Sequence, residues 1–323
     1  MRISPEKLAA EAQATGFRPD VLEKAAHLLG LLDAMRSHPF LQGKLVLKGG
    51  TALNLFVFDV PRLSVDIDLN YVGAEDRDGM LAERPKVEQA IQAVFAREGF
   101  AVRRMPEEHA GGKWSLRYES ALGRSGNLEV DINFMFRVPL WPVVTSDSHS
   151  VGTWRATGIP VLDRHELAAG KLAALLARRQ ARDLFDSHRI LRMENLDSHR
   201  LRIGFVVYGA MNTKDWRTVS LSDVDFDAMD LARQLVPTLR VNAAEVQAES
   251  AEYGARLVRE CREGLSAVLP FTNSEREFLD LLLDRGVIDP TLLTADKSFQ
   301  RCIQAQPLLK WKALNVRQHK GLS

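Results

Sequence analysis

Two aspartates one residue apart, Asp66 and Asp68, sit in the run Ser64-Val65-Asp66-Ile67-Asp68-Leu69-Asn70-Tyr71, where apolar and polar side chains alternate. A period of two is that of a half-buried strand, which turns Val65, Ile67 and Leu69 to one face and Asp66, Asp68 and Asn70 to the other. Paired carboxylates on one face offer a concentrated oxygen site to a hard cation such as Mg²⁺ or Mn²⁺. Upstream, the short apolar run Leu45 to Leu47 meets Gly49 and Gly50, and an apolar segment from Thr51 to Phe56 follows. That pattern predicts a strand, a glycine turn and the start of a helix. Glycines accept positive φ and let a ligand approach the backbone, while the first N–H groups of a helix favour a triphosphate. Lys48 to Thr51 therefore reads as a phosphate-cradling loop, with the Thr51 hydroxyl as a further donor. A second alternating run sets Leu128, Val130, Ile132 and Phe134 against Glu129, Asp131 and Asn133. Asp131 is thus available as a third metal ligand or a general base. Alone, the loop is a tight turn and the Asp-x-Asp strand a solvated face. In this order they supply what nucleotidyl transfer needs, which is cations to activate a hydroxyl, neutralise a triphosphate and stabilise departing pyrophosphate.

Leu47-Lys48-Gly49-Gly50-Thr51-Ala52-Leu53 and Arg62-Leu63-Ser64-Val65-Asp66-Ile67-Asp68-Leu69 resemble the first two motifs of the AbiEii/AbiGii toxin family, nucleotidyltransferases that include the MenT toxins. Lys171, within the predicted helix around Glu166 to Arg178, and Arg182-Asp183-Leu184-Phe185-Asp186 resemble the family's later lysine and Arg-Asp motifs, in the same order. The resemblance implies that Asp66 and Asp68 bind metal and that Lys171 and Asp183 are catalytic or nucleotide-contacting. A lysine can act as a point charge on phosphate oxygens where negative charge builds up. Asp183 can hold that lysine or orient the acceptor, and Asp186 is expected to cap or brace its helix. The same resemblance implies an NTP substrate, a 3′ RNA end as acceptor, of tRNA in the MenT kind, and a cognate antitoxin.

The elements that must position these residues fall into an α+β pattern of two lobes. The first, residues 1–163, is expected to be a nucleotidyltransferase-type mixed sheet flanked by helices, with two packed helices in residues 1–40. Its further elements are a helix from Pro85 to Glu98 and strands at Phe100 to Arg104, Trp114 to Glu119, Leu128 to Phe136 and Thr157 to Val161. The second, residues 164–323, reads as mostly helical, with helices at His165 to Arg179, Arg182 to Met193, Asp223 to Leu235, Ala243 to Leu269 and Ser274 to Asp284. The first lobe is expected to hold metal and triphosphate, the second to meet the transition-state charge.

The composition is that of a globular protein, 46% hydrophobic and 26% charged, and its net charge of +1 gives no global attraction to nucleic acid or membrane. Any nucleic-acid surface must be local, and two clusters could follow an RNA backbone: Arg178, Arg179, Arg182, Arg189 and Arg192, and Lys310, Lys312, Arg317, His319 and Lys320. For the second, a solvated tail is the plainer expectation. Cys261 and Cys302 lack metal-site or disulfide spacing, no apolar run approaches the roughly 20 residues of a membrane helix, and the N-terminus lacks a signal-peptide core. A cytoplasmic protein without membrane contact is expected. Gly170-Lys171 is not a P-loop, because His165 replaces its first glycine and Leu172 its magnesium-binding hydroxyl. His188 and His199 are expected to serve packing or surface roles. Ser64, on the acidic side, is expected to hydrogen-bond the triphosphate or the turn, and its phosphorylation would place about two negative charges beside the metal site. Two other functions fit the residues: nucleotidyl transfer to a protein or a small molecule such as an antibiotic, and a non-catalytic nucleotide-binding regulator.

Overall fold

A computed structural model describes residues 2–104, 111–240 and 250–321. The chain divides into two compact units. One comprises the described residues of Met1–Arg137, Pro142–Leu162 and Val236–Gln247; the other comprises those of Val138–Trp141, Asp163–Leu235 and Ala248–Ser323.

The first unit is built on a seven-stranded mixed sheet. Helix α1 (Pro5–Thr15) starts at the Ser4 cap and stops at Gly16, whose φ of 73° suits a glycine. Helix α2 (Pro19–Ser37) buries Leu22, Ala25, Ala26, Leu28 and Leu29 almost completely. Strand β1 (Leu45–Lys48) runs into the helical turn α3 (Gly49–Ala52), which continues as one π-helical turn over Leu53–Val57. Strand β2 (Asp66–Tyr71), helix α4 (Arg77–Arg97), and strands β3 (Ala101–Arg104), β4 (Gly111–Glu119), β5 (Ser125–Asn133), β6 (Val144–Ser146) and β7 (Ile159–Val161) complete it. The strand order is β3-β4-β5-β2-β1-β7-β6, with β2/β5 and β1/β7 parallel and the other pairs antiparallel. Ile67, Leu69, Val130, Ile132, Trp114 and Leu116 form the buried face with α2 and α4. The alternation of β2 and β5 thereby leaves their acidic residues on the opposite face.

Several elements differ from the sequence expectation. Helix α4 begins eight residues before Pro85 because Asp76 caps it, accepting from Gly79 N at 2.7 Å, and Pro85 is carried inside. Strand β6 is only three residues long and mostly exposed, so it leaves no alternation to read. Residues 236–240 return to this unit from far along the chain, where Thr238 O accepts from Leu63 N at 2.9 Å.

The second unit is helical: α5 (Arg164–Ala177), α6 (Ala181–Ile190), α7 (Ser198–Ala210), α8 (Ser250–Gly264), α9 (Asn273–Asp280), α10 (Lys297–Ala305) and α11 (Pro307–Lys320). The predicted helix over 223–235 is broken, with only a helical turn at Ala228–Asp230 and a π-helical turn at Leu231–Leu235. Of the helix predicted over 243–269, residues 243–249 lie outside the described ones. The basic C-terminal cluster is no tail; Pro307 opens α11 and Gly321, at φ 64°, closes it.

Candidate active site

The acidic face of the first unit is assembled by register. Lys48, Asp68 and Asp131 lie side by side across β1, β2 and β5, and Asp66 lies beside Glu129. Asp66, Asp68 and Asp131 are all half-buried. Gly49 is where the loop and this face meet. Its φ is 73°, and a Cβ placed on it would come within 2.3 Å of Asp68 Oδ2. The carboxylate thus occupies the space a side chain would need, and only glycine permits both the backbone turn and the approach. Thr51 is fully buried, and its hydroxyl donates to Asp66 O at 2.5 Å. With its single hydrogen used, Thr51 ties the loop to β2 instead of offering a donor outward. Asn54 Nδ2 donates to Gly50 O at 2.9 Å, fixing the other glycine. The Lys48 ammonium lies over the Phe136 ring, 5.5 Å from its centroid. Ser64 precedes β2 and is only 5% exposed, so a modifying enzyme could reach it only if this segment opened.

One member of this face escaped the sequence reading. Lys113, on β4 beside Asp131, contacts Glu129 at 2.5 Å. The Glu129 hydrogen bond raises its ammonium above the usual lysine range against the effect of burial, and the charges of Glu129, Asp66 and Asp131 add to the rise. Its signal was the alternation of Lys113, Ser115 and Arg117 opposite β5, legible only once the β4/β5 pairing is known.

Among the described residues no three His, Cys, Asp or Glu side chains converge as a closed metal site. The donor set still suits Mg²⁺ or Mn²⁺, because Mg²⁺ is commonly held by one or two carboxylates and completes its shell with water and substrate phosphates.

In the second unit, Lys171 projects from α5 between two carboxylates of α6. Its Nζ lies 2.9 Å from Asp183 Oδ1 and 3.1 Å from Asp186 Oδ2. Asp183 and Asp186 share a face of α6 because they are three residues apart. Arg178, just past the end of α5, adds Nε to Asp183 Oδ2 at 2.7 Å. Lys171 is 9% exposed, Asp183 2% and Asp186 not at all. Burial alone would raise the Asp183 carboxyl, but Lys171 and Arg178 outweigh it and hold it below the usual carboxylate range. Asp186 thus grips Lys171 as well as belonging to its helix. Arg178, singled out only as part of a charge cluster, is a second cation on Asp183.

Two more arginines of that cluster are also matched by acids. Arg179 pairs with Asp225 at 3.1 Å, and Arg192 and His188 share Glu260 at 2.5 and 2.6 Å.

A glycine loop under an Asp-x-Asp strand, on a mixed sheet within an α+β chain, defines a nucleotidyltransferase. Residues 30–268 match the family model described as nucleotidyl transferase AbiEii toxin of a type IV toxin–antitoxin system, and the chain belongs to that family. Membership brings with it a nucleotide substrate and an antitoxin partner. In fold, the chain is similar to MenT4, a nucleotidyltransferase toxin from Mycobacterium tuberculosis H37Rv, with a TM-score of 0.60 at 17% identity over 96% of this chain and 99% of that one. No curated protein matches the sequence. Among the described residues no helix is long and apolar enough to cross a membrane.

Proposed function

We propose that this toxin transfers a nucleoside monophosphate from an NTP to the 3′ end of an RNA, of the tRNA class, and so arrests translation in the cytoplasm until its antitoxin counters it. The observation that carries the reading is the seating of the Asp68 carboxylate against Gly49, which brings a metal-type ligand and a phosphate-type loop to one point. Mg²⁺ or Mn²⁺ held by Asp66 and Asp68, with Asp131 as a further oxygen, would supply charge neutralisation for the triphosphate and activation of the acceptor hydroxyl.

The chain's own residues do the rest. The first N–H groups of the helical run after Lys48 have no acceptors within the helix and are offered to phosphate oxygens. Lys48 contributes a positive charge at the same loop, and Thr51 holds that loop against β2. The acceptor 3′ hydroxyl attacks the α-phosphorus, the bond to the β-phosphate oxygen breaks, and pyrophosphate leaves. The hydroxyl proton passes to Asp131, if that carboxylate acts as base, or to water. The family resemblance assigns Lys171 to catalysis or nucleotide contact, and within the second unit Asp183 and Asp186 fix its position. The RNA acceptor is supported by the family resemblance alone, since Arg178, Arg179 and Arg192 are already paired with carboxylates.

The test is incubation of the purified protein with each radiolabelled NTP, Mg²⁺ and total RNA, beside an Asp68→Ala control. Label in tRNA that depends on Asp68 is expected. Label in protein or a small molecule would replace the acceptor, and stable NTP binding without transfer would make the protein a sensor.

A further inference from the structure

A run of basic charge without acidic residues lies in the last two helices, beyond residue 268 where the family match ends. Residues 297–320 contain six Lys or Arg and no Asp or Glu, in a chain whose net charge is only +1. Two of the six are engaged: Lys312 donates to Asn212 O, and Lys320 pairs with Asp284 at 3.1 Å. Lys297, Arg301, Lys310 and Arg317 are exposed and have no carboxylate partner among the described residues. Their spacing is regular. Lys297, Arg301 and Gln304 recur at i, i+4 and i+7 on the outer side of α10, while Phe299 and Ile303 turn inward. Lys310, Leu314 and Arg317 recur in the same way on α11, with Trp311 and Gln318 beside them, opposite the buried Leu309 and Ala313.

Trp311 stands among these cations. It is 54% exposed and Leu314 47%, although tryptophan is among the costliest side chains to leave in water. A helix that lies on a lipid surface keeps its apolar residues on a separate face from its cations. Here Trp311 and Leu314 share one face with Lys310, Arg317 and Gln318, and the true apolar face is already buried. Cations interleaved with an exposed aromatic ring fit an anionic chain that also carries flat apolar groups, which is an unpaired nucleic-acid strand.

We infer that the outer faces of α10 and α11 bind a single-stranded nucleic-acid segment, with Trp311 stacking on a base and Lys297, Arg301, Lys310 and Arg317 on the phosphates. The choice of RNA over DNA rests on the acceptor reading above; the surface itself does not. In the RNA case it would grip an unpaired stretch of the acceptor apart from the residues of the transfer chemistry.

The test is fluorescence anisotropy of the full chain with fluorescein-labelled uridine and thymidine 12-mers, without NTP. Trp311→Ala is expected to weaken binding about tenfold, with most of the loss recovered in Trp311→Phe, which keeps a ring. Lys310→Gln and Arg317→Gln should each flatten the plot of log affinity against log salt by about 0.7. Thermal melting of the variants, all at exposed positions, should stay at the wild-type value. Unchanged affinity and salt slope in these variants would overturn the inference, as would Trp311-dependent binding to phosphatidylserine vesicles in place of oligonucleotides. Binding as described without label transfer to RNA would leave the surface standing and remove only the acceptor.

Discussion

Asp68 and Asp183 are both carboxylates beside a lysine, yet they live in opposite circumstances. Asp68 is half-buried on a face shared with Asp66, Glu129 and Asp131, where Lys113 is paired with Glu129 and Lys48 rests over Phe136. Negative charge is in excess there. Asp183 is sealed from solvent with two cations on it and a second carboxylate, Asp186, on one of them. That nest is neutral by itself. The first arrangement leaves attraction over for a cation, while the second uses its attraction to hold one ammonium in place.

Substitutions should separate the two. Asp68→Ala is expected to lower labelled-NTP incorporation at least about a thousandfold, while the melting midpoint holds or rises slightly because repulsion with its acidic neighbours is relieved. Asp186→Leu should do what Asp68→Ala does not: leave the buried nest one positive charge in excess, with Lys171 and Arg178 sharing Asp183 alone, and lower unfolding free energy by about 3 kcal/mol in urea titrations. Adding Lys171→Met should recover much of that stability and none of the activity. Full recovery of transfer in the double variant would reduce the nest to a packing device.

Glu166 sharpens the contrast further, as a buried acid of the second unit with no basic partner among the described residues. It accepts from Leu140 N and from the Tyr208 hydroxyl, both at 2.9 Å, and burial pushes its carboxyl up to about 7. A folded value above the unfolded one means that its contribution is whole at low pH and is lost as pH rises from about 4.5 to about 7. The total change over that range amounts to roughly 3 kcal/mol at most. Asp183, held low, has the reverse sign: its contribution is present above the ordinary carboxylate range and lost as pH falls below it. Buried His27, lowered to about 4, has the opposite trend over the same range, so the Glu166 effect is read by difference: stability of Glu166→Gln relative to wild type should rise as pH goes from about 4.5 to about 7. The smallest effect concerns Lys113. Lys113→Gln removes a competing cation from the acidic face, so the Mg²⁺ concentration for half-maximal transfer should drop about twofold with kcat unchanged. A rise would assign that lysine to the phosphates.

The acidic face was legible in the sequence because strands write their faces with a period of two, and Asp66, Asp68 and Asp131 all fell on the polar side. Lys113 was not, since it joins that face through a strand pairing that no local pattern encodes. Lys171 and Asp183 were found by motif, but the grip of Asp186 and Arg178 required the α5/α6 packing. Pro85 looked like a helix start and lies inside α4 because the capping side chain, Asp76, outranked it. Helix α7 went unseen because Leu201, Ile203, Phe205, Val206 and Val207 bury it on nearly every side, which erases the 3.6-residue rhythm.

The shared space at Gly49 has a consequence for how such chains can change over generations. One volume, too small for two occupants, is claimed by residue 49 and by the carboxylate nineteen positions later. Any methyl group gained at position 49 evicts that carboxylate, so a lineage cannot lose the glycine first and keep the acid. The two positions are inherited as one character: chains of this family that have drifted away from glycine there should have lost the aspartate as well, and with it the reaction.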